Sequence, residues 1–275
     1  EAREEKQVSN SGVNSLGEMV RFKAITLLTD FGDFYPGVMK GIILKLAPEA
    51  TVIDITHGVE PQNVYQGAFL LLNSYKFFPP SIHVAVVDPG VGSDRSAIAV
   101  ECRNHVFIGP DNGILYPACT EDGIKKIWKI KEEETFSLAS RSTTFHGRDV
   151  FAPAAALAFM DRLGEIAEKI EAMQKLEIFD YDVCKDKIRA RIIYIDRFGN
   201  AVTNVPKEVV EELDAKGFYV NGVDFPLVET YSCVKEGEPL ALIGSFGTLE
   251  LSVRNGSASE VYGLTSGEVV LKWRI

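Results

Sequence analysis

The chain has 275 residues, 46% hydrophobic and 25% charged, which is typical of a soluble globular protein with one large domain or two modest ones. A formal net charge of −10 argues against a nucleic-acid partner, and the absence of an apolar run of about 18 residues argues against a membrane span. The four cysteines form no CxxC pair and have no histidine at zinc-ligand spacing, so they favour a reducing cytoplasm over a disulfide framework.

The first half of the chain alternates strands and helices. Residues 1–21 are polar and of mixed charge, and we expect an unstructured extension there. Apolar, β-branched runs then predict strands at 23–29, 51–56 and 82–87, and helical spacing of apolar residues predicts helices at 35–46 and 63–77. Nearly continuous apolar strands between helices indicate an α/β domain over 22–170, with a mostly parallel sheet flanked by helices.

The pattern changes after the third strand. Short strands are predicted at 96–102, 105–108, 114–116 and 127–130, a hairpin at the Asp-Asn-Gly turn 111–113, and a helix over 149–162. Residues 171–187 are charged and mixed, and are predicted to form a linker. From Ile188 onward, short strands separated by glycines, with one helix at 207–215, suit a small β-barrel or sandwich over 188–275.

Polar residues and glycines follow three strands of the predicted sheet. They are TDFG at 29–32, DITHG at 54–58 and DPGVG at 88–92. In open parallel sheets, ligands bind outside the carboxyl ends of strands, so these loops predict a ligand crevice. They are also ordinary turn residues, and that interpretation stays open. The sequence has no GxxxxGK[ST], and no GxGxxG follows the first strand, so a ligand with a long phosphate tail is disfavoured.

Three further features suggest chemistry. TFHGRD at 144–149 places His146 beside a glycine at a predicted helix start, among polar neighbours that do not suit a core histidine. DRFGN at 196–200 and VRNGS at 253–257 could bind a planar base, with Phe198 as a stacking face, or could be simple turns. A metal site is an alternative, with Asp54, His57, Asp88 and His146 as ligands. Because no HExxH-like spacing supports it, we expect neither metal nor cofactor.

Six motifs, taken in order, resemble those of one family. They are TDFG (29–32), VVDPGVG (86–92) with Arg95, GPDNG (109–113), TFHGRD (144–149), DRFGN (196–200) and SVRNG (252–256). Together they resemble the S-adenosylmethionine (SAM) hydrolase family, also called SAM hydroxide adenosyltransferases, which is related to the fluorinases and chlorinases. The resemblance covers residues 22–275. It implies an N-terminal α/β domain, a C-terminal β-barrel, and a homotrimer with each site between one subunit's N-terminal domain and its neighbour's C-terminal domain.

The resemblance also implies roles for particular residues. Asp88, Arg95 and His146 match the family's water-positioning triad. Asp30 resembles the carboxylate that binds the ribose diol, and Asp196 and Ser245 resemble groups that hold the methionine end. The other expected substrate-binding residues are Phe31, Gln62, Asn63, Asp111, Asn112 and Phe145, with Phe198, Asn200, Arg254, Asn255 and Gly256 facing adenine.

Two departures from the halogenating relatives bear on the reaction. Those relatives have other groups where this chain has Asp88 and His146-Gly147, and one of them has an arginine where this chain has Phe246. The expected activity is therefore hydrolysis of SAM to adenosine and methionine, by attack of an activated water on C5′. Alternatives are a halide-dependent adenosyl transferase, a non-catalytic SAM or adenosine sensor, and a metal-dependent hydrolase.

The assignment of the proton acceptor stays open at this point. Asp88 and His146 are both candidates, and groups this close would titrate as a unit. Asp88 and Arg95 could also form a salt bridge that only braces the glycine-rich loop.

Overall fold

The computed structural model describes residues 22–136, 138, 142 and 144–275, and the extension expected over 1–21 lies outside them. The chain divides into two compact units, Glu1–Leu176 and Glu177–Ile275, and the division falls within the segment 171–187 that was expected to be a linker. No helix in the described part of the chain is both long and apolar enough to cross a membrane.

The first unit is built on a seven-stranded mixed sheet. Its strands are β1 (Ile25–Thr29), β2 (Val52–Thr56), β3 (Ile82–Val86), β4 (Ala97–Glu101), β5 (Val106–Pro110), β6 (Lys126–Ile130) and β7 (Ala167–Ile170). The strand order is β2-β1-β3-β5-β4-β6-β7. The first four strands in that order are parallel, whereas β4, β6 and β7 pair antiparallel. The α/β class is confirmed, but only half of this sheet is parallel.

The helices of this unit cover the sheet. They are α1 (Tyr35–Leu46), α2 (Val64–Ser74), α3 (Tyr116–Asp122), α4 (Glu132–Phe136) and α5 (Ala152–Phe159), and a π-helical turn at Gly147–Phe151 leads into α5. Strands β1, β3 and β5 are buried throughout, as their continuous apolar sequence predicts. Met39 and Ile43 of α1 and the alanine-rich α5 belong to one core with them.

The segment 111–116 differs from the sequence prediction. Residues 114–116 do not form a strand, because Tyr116 begins α3 with Pro117 in its first turn. Proline has no backbone N–H and a fixed φ, both of which suit that position. The hairpin lies instead between β4 and β5, whose strands pair antiparallel around the turn at 102–105.

The second unit is a nearly closed antiparallel barrel. Its strands are β8 (Asp182–Cys184), β9 (Lys187–Ile195), β10 (Ala201–Pro206), β11 (Gly217–Val220), β12 (Val223–Pro226), β13 (Pro239–Ile243), β14 (Thr248–Val253) and β15 (Gly267–Arg274), with helices α6 (Lys207–Glu212) and α7 (Ala258–Tyr262). The order is β12-β11-β15-β9-β10-β14-β13. Leu227, just after β12, bridges to Ala241 of β13 and brings the two edges together. Strand β8 lies in the expected linker and pairs with β9.

Candidate active site

Asp88 and Arg95 form a desolvated ion pair at the carboxyl end of β3. Asp88 follows β3 by two residues, and Arg95 precedes β4 by two. Arg95 Nε donates to both carboxylate oxygens of Asp88 at 3.0 Å, and Nη2 also donates to Oδ2. The side chain of Asp88 is only 5% exposed, and that of Arg95 is 9% exposed. A two-pronged, charge-assisted contact of this kind fixes orientation as well as contributing energy.

The loop between these residues has the tight geometry that brings them together. The backbone N–H and the hydroxyl of Ser93 both donate to the carbonyl of Gly90, at 3.0 and 2.7 Å. Gly92 has a φ of +79°, which favours glycine. A Cβ on Gly90 would lie 3.2 Å from Ser93 Oγ and 3.4 Å from Arg95 Cγ. The predicted glycine-rich loop therefore positions the arginine rather than cradling a phosphate.

His146 completes a connected network. It immediately precedes the π-helical turn and is 5% exposed. Nη2 of Arg95 lies 2.8 Å from Nδ1 of His146. Because a guanidinium carries only donors, Nδ1 is the acceptor, and the proton of the neutral imidazole is on Nε2. The structure thus brings Asp88, Arg95 and His146 together, with Arg95 between the other two.

Glu132, at the start of α4, is a fourth member that the sequence analysis missed. Its Oε1 lies 3.4 Å from Arg95 Nη1 and 3.9 Å from His146 Nδ1. The ring of Phe151 packs beneath the guanidinium, with its centroid 5.5 Å from Cζ. Glu132 is the first of three consecutive glutamates, a pattern that suggests a solvated surface, so the sequence carried no signal for it.

A cavity of about 300 Å³ adjoins this network. Its lining combines two members of the network with an aromatic wall, and consists of Phe31, Tyr35, Val86, Asp88, Val91, Thr144, Phe145, His146 and Gly147. The Phe145 ring packs edge-on against Phe31 and Tyr35, with centroids 5.9 and 5.1 Å away. Phe31 and Phe145 were expected at the site, whereas Tyr35 was not. The lining of the cavity is thus mostly apolar, and Asp88 and His146 contribute polar groups that can hold a water molecule.

Asp30, expected to bind ribose, and the expected substrate-binding residues Gln62 and Asn63 lie on neighbouring loops, and they do not line this cavity. Asp30 follows β1, and its Oδ2 accepts from the backbone N–H of Gln62 at 2.8 Å. Gln62 has a φ of +66°. Asn63 caps α2, since its Oδ1 accepts from the N–H of Gln66 at 3.0 Å while its Nδ2 donates to Glu60. The amide of Asn63 therefore serves the helix start, and its contact with substrate stays a prediction.

Asp111 and Asn112 brace the same edge of the sheet. Asn112 Nδ2 donates to the carbonyl of Val87 at 2.9 Å, and its Oδ1 accepts from the N–H of Ile114. Asp111 Oδ1 accepts from the N–H of Gln174 at 2.7 Å. The amide of Asn112 thus anchors the chain just before Asp88. Direct contact of either residue with substrate stays a prediction.

The four residues considered as metal ligands are not brought together. Asp54 pairs with Lys40 at 2.5 Å and with His57 Nε2 at 3.0 Å, whereas Asp88 and His146 share Arg95. Among the residues that the structure describes, no group of three or more His, Cys, Asp or Glu side chains is arranged to hold a metal ion. The carboxylates and the imidazole around Arg95 are therefore arranged by hydrogen bonds from its guanidinium, and not around a metal ion.

The second unit carries its own cavity, of about 940 Å³. The turn between β9 and β10 forms one wall. Asp196 Oδ1 accepts from the N–H groups of Phe198 and Asn200 at 2.8 and 2.9 Å, and its Oδ2 accepts from Asn200 Nδ2. Gly199 has a φ of +80°, and a Cβ there would lie 2.0 Å from Ser257 Oγ. The braced turn leaves Phe198 76% exposed, as a free stacking face beside the cavity.

Most of the other residues expected in the second unit line this cavity, whereas Arg254 does not. Ser245, Asn255 and Gly256 line it, together with Asp196, Phe198 and Asn200. Arg254 does not, and its Nη1 donates to the carbonyl of Val234 at 2.6 Å. Arg254 therefore supports the loop from behind. The assignment of this cavity to adenine stays a prediction.

Tyr231 and Glu250 also line this cavity, and the sequence analysis did not predict them. The Tyr231 hydroxyl donates to Glu250 Oε1 at 2.6 Å, and Ser252 Oγ donates to the same oxygen at 2.7 Å. Burial and then the bond to Glu250 raise the pKa of Tyr231. Glu250 was detectable, because it is an isolated carboxylate in the otherwise uncharged strand TLELSV, which is buried throughout. A buried carboxylate in such a strand needs partners, and these hydroxyls supply them.

Comparison with known proteins identifies the family of the chain. The model of the SAM hydroxide adenosyltransferase N-terminal domain matches residues 25–167, and that of the C-terminal domain matches residues 190–271. The chain belongs to the SAM hydroxide adenosyltransferase family. This confirms the family expected from the six motifs.

Individual proteins also match this chain over most of their length. A Methanocaldococcus jannaschii protein named (R)-S-adenosyl-L-methionine hydrolase is 39% identical over 253 residues, which cover 86% of this chain and 90% of that protein. The crystal structure of a conserved protein from Thermotoga maritima superposes with a TM-score of 0.80 at 34% identity, covering 90% of this chain and 99% of that one. A fluorinase from Actinopolyspora mzabensis is more distant, at 22% identity over 88% of this chain and 94% of its own.

Proposed function

We propose that this protein hydrolyses SAM to adenosine and methionine. The C5′–S bond breaks with its electron pair leaving on sulfur, the oxygen of water bonds to C5′, and one proton is released. The observation that carries the proposal is the Asp88–Arg95–His146 network at the wall of a cavity, in a chain of this family. The name of its M. jannaschii relative supports the same reaction.

The network suits the difficult part of this reaction. A sulfonium makes the thioether a good leaving group, so no acid is needed, but neutral water is a weak nucleophile. Asp88 Oδ1 accepts a hydrogen bond from Arg95 Nε, and a carboxylate oxygen has a second lone pair that can accept from water. His146 carries its ring proton on Nε2, which can donate to the same water. A positioned acid-base group typically contributes about 10²–10⁴-fold.

This arrangement favours Asp88 as the proton acceptor. In the tautomer that Arg95 imposes, the Nε2 of His146 already holds a proton, so His146 orients the water rather than deprotonating it. Arg95 then stabilises the hydroxide character that develops as the C–O bond forms. The acceptor role of His146 Nδ1 supports this choice between Asp88 and His146, which the sequence left open.

The rival halide-dependent reaction fits the cavity poorly. Asp88 lines the cavity, and a carboxylate repels a halide ion brought close to it in a desolvated site. A non-catalytic SAM or adenosine sensor could use the same residues to bind, so only product formation separates it from an enzyme.

The deciding experiment is incubation of purified protein with SAM in ¹⁸O-water, without halide or added metal, and with chromatography and mass analysis of the products. Because the M. jannaschii relative is named for the (R) form, the two sulfonium epimers are tested separately, with faster turnover expected for (R). We expect methionine and adenosine as products, with the ¹⁸O label in adenosine. The rate of hydrolysis should be at least 100-fold lower in His146→Ala. Unlabelled adenosine, or no product from either epimer, would overturn the proposal.

We further propose a cytoplasmic homotrimer in which each active site is shared between subunits. The resemblance to the family supports the trimer, and four free cysteines support the reducing compartment. Light scattering after size-exclusion chromatography should give three times the mass of the chain. A mixture of D88N and N200A proteins, each impaired alone, should then recover activity if the two residues of one site come from different chains.

A further inference from the structure

The outer edge of the Arg95 guanidinium is bound by two residues from different parts of the chain. Its Nε/Nη2 edge binds Asp88, as described above. On its Nη1/Nη2 edge, Nη2 donates to His146 Nδ1 at 2.8 Å, and Nη1 lies 3.4 Å from Glu132 Oε1. These two acceptors are 3.9 Å apart. Glu132 and His146 together therefore occupy the edge that a single carboxylate takes in an ordinary arginine fork.

We infer that Glu132 is a positioning residue, which acts through Arg95 to hold His146 in its Nε2–H tautomer. This inference rests on the proposed function, because it assigns a part in the same water site. Glu132 does not line the cavity, so we assign it a role through Arg95 rather than a contact with substrate. Its contact with Nη1 opposes rotation of the guanidinium away from His146, and so keeps a donor facing Nδ1.

Two physical arguments support this role. A neutral imidazole in water exchanges between tautomers, and the hydrogen bond made by one nitrogen decides which nitrogen keeps the proton. Arg95 also has to serve three residues, and two of them, Asp88 and Glu132, are carboxylates. Because the Glu132 side chain is 29% exposed and Asp88 only 5%, Glu132 supplies the weaker, adjustable end of this arrangement. Loss of Glu132 should thus disturb the Arg95–His146 contact before it disturbs the Arg95–Asp88 pair.

The test compares Glu132→Ala and Glu132→Gln with the control Glu133→Gln, which changes an exposed residue on the same helix. We expect E132A to lower kcat by roughly 10- to 100-fold, as small misplacements of catalytic groups do, with KM within about twofold. E132Q retains a neutral acceptor for Nη1, and should recover most of kcat. E133Q should match the parent protein. A raised KM with unchanged kcat, or E132Q as impaired as E132A, would show electrostatic attraction of substrate and overturn the positioning role.

A second readout does not depend on turnover. The chain has four histidines, so ¹⁵N-histidine labelling and long-range ¹H–¹⁵N spectra can assign each ring, with H146N identifying His146 by the signal it loses. We expect His146 to be in the Nε2–H form in the parent protein and E133Q, and in mixed forms in E132A. The same tautomer in E132A and parent would overturn the inference, whether or not SAM is hydrolysed. Should E132A fail to fold, Glu132→Ser, whose side chain is too short to reach Nη1, takes its place in both measurements with the same expected results.

Discussion

Gly147 is packed so closely against Phe31 that a Cβ at this position would lie 2.9 Å from the ring carbon Cε2. The same Cβ would lie 3.0 Å from the ring of Phe145 and 3.1 Å from the sulfur of Met39. Because Gly147 adjoins His146, the absence of a side chain lets the aromatic wall of the cavity meet the segment that carries the histidine. The glycine thus links packing to the chemistry of the site.

Gly147→Ala should therefore affect both stability and catalysis. Overpacking of this kind costs about 1–3 kcal/mol, and the rings or the backbone at His146 must move to relieve it. We expect a lower midpoint in urea unfolding and a drop in kcat of about tenfold or more. Gly164→Ala is the matched control, since nothing lies within 4 Å of the Cβ it would add. Equal stability and kcat for both variants would contradict the close packing.

Arg95→Lys should nearly abolish activity although it preserves the charge. A lysine presents one ammonium, and it cannot hold both oxygens of Asp88 while also donating to His146. We expect kcat to fall by about 100-fold or more, with KM changed much less. Arg162→Lys, in an exposed ion pair with Glu165, should change neither. Lower thermal stability with unchanged kcat would instead support an ion pair that only braces the loop.

The two amide replacements of His146 separate its two ring nitrogens. Asparagine places an oxygen near the position of Nδ1 and keeps the acceptor for Arg95, whereas glutamine can place an amide N–H near the position of Nε2. If His146 orients water through Nε2–H while Asp88 takes the proton, H146Q should retain more kcat than H146N. Single-turnover rates at saturating SAM measure this ranking. Both variants falling to the same residual rate would indicate that His146 itself accepts the proton.

Most of the fold could be predicted because it depends on local pattern. The helix at 35–46 was predicted at its observed bounds, since apolar spacing and Pro48 define it. The failures came where tertiary pairing decides the structure. Strands β4, β6 and β7 are antiparallel, which short apolar runs cannot reveal, and Tyr116 begins a helix although its neighbours suit a strand.

The site was predictable as far as motifs carried it. Asp88, Arg95 and His146 lie within motifs, and the structure joins them directly. Glu132 lies in a run of glutamates and becomes recognisable only when α4 approaches Arg95. The bond that sets the tautomer of His146 also depends on residues 51 positions apart, which no local pattern encodes.

Activity should not depend on an added metal. The chemistry proposed here uses a sulfonium leaving group and a water held by Asp88 and His146, so no Lewis acid is required at C5′. We expect kcat and KM to be unchanged after dialysis against a chelator, and after addition of Mg²⁺ or Zn²⁺ to the dialysed protein. Loss of activity on dialysis, with recovery on adding one metal, would favour the metal-dependent hydrolase considered from the sequence.

Stability should fall with acid because of a buried histidine pair, His83 and His105, that is not part of the Arg95 network. His83 Nδ1 lies 2.7 Å from Thr26 Oγ1, and His83 Nε2 lies 3.0 Å from His105 Nδ1. His105 Nδ1 also accepts from the N–H of Ser81, so the shared proton is on His83. Burial lowers the pKa of His83 from 6.5 to about 3, and it also lowers the pKa of His105.

The sign of the effect follows from these shifts. Below about pH 6.5 the unfolded chain binds protons that the folded protein does not bind. The free energy of unfolding present above that pH is therefore lost as the pH falls toward 3. Each such histidine changes the free energy of unfolding by at most about 1.4 kcal/mol per pH unit. Urea unfolding between about pH 7.5 and 4.5 measures this slope, and His83→Asn, which cannot titrate but keeps an acceptor for Thr26, should flatten it. Parallel curves for H83N and the parent protein would show that His83 is already protonated in the folded state or equally shielded in the unfolded one.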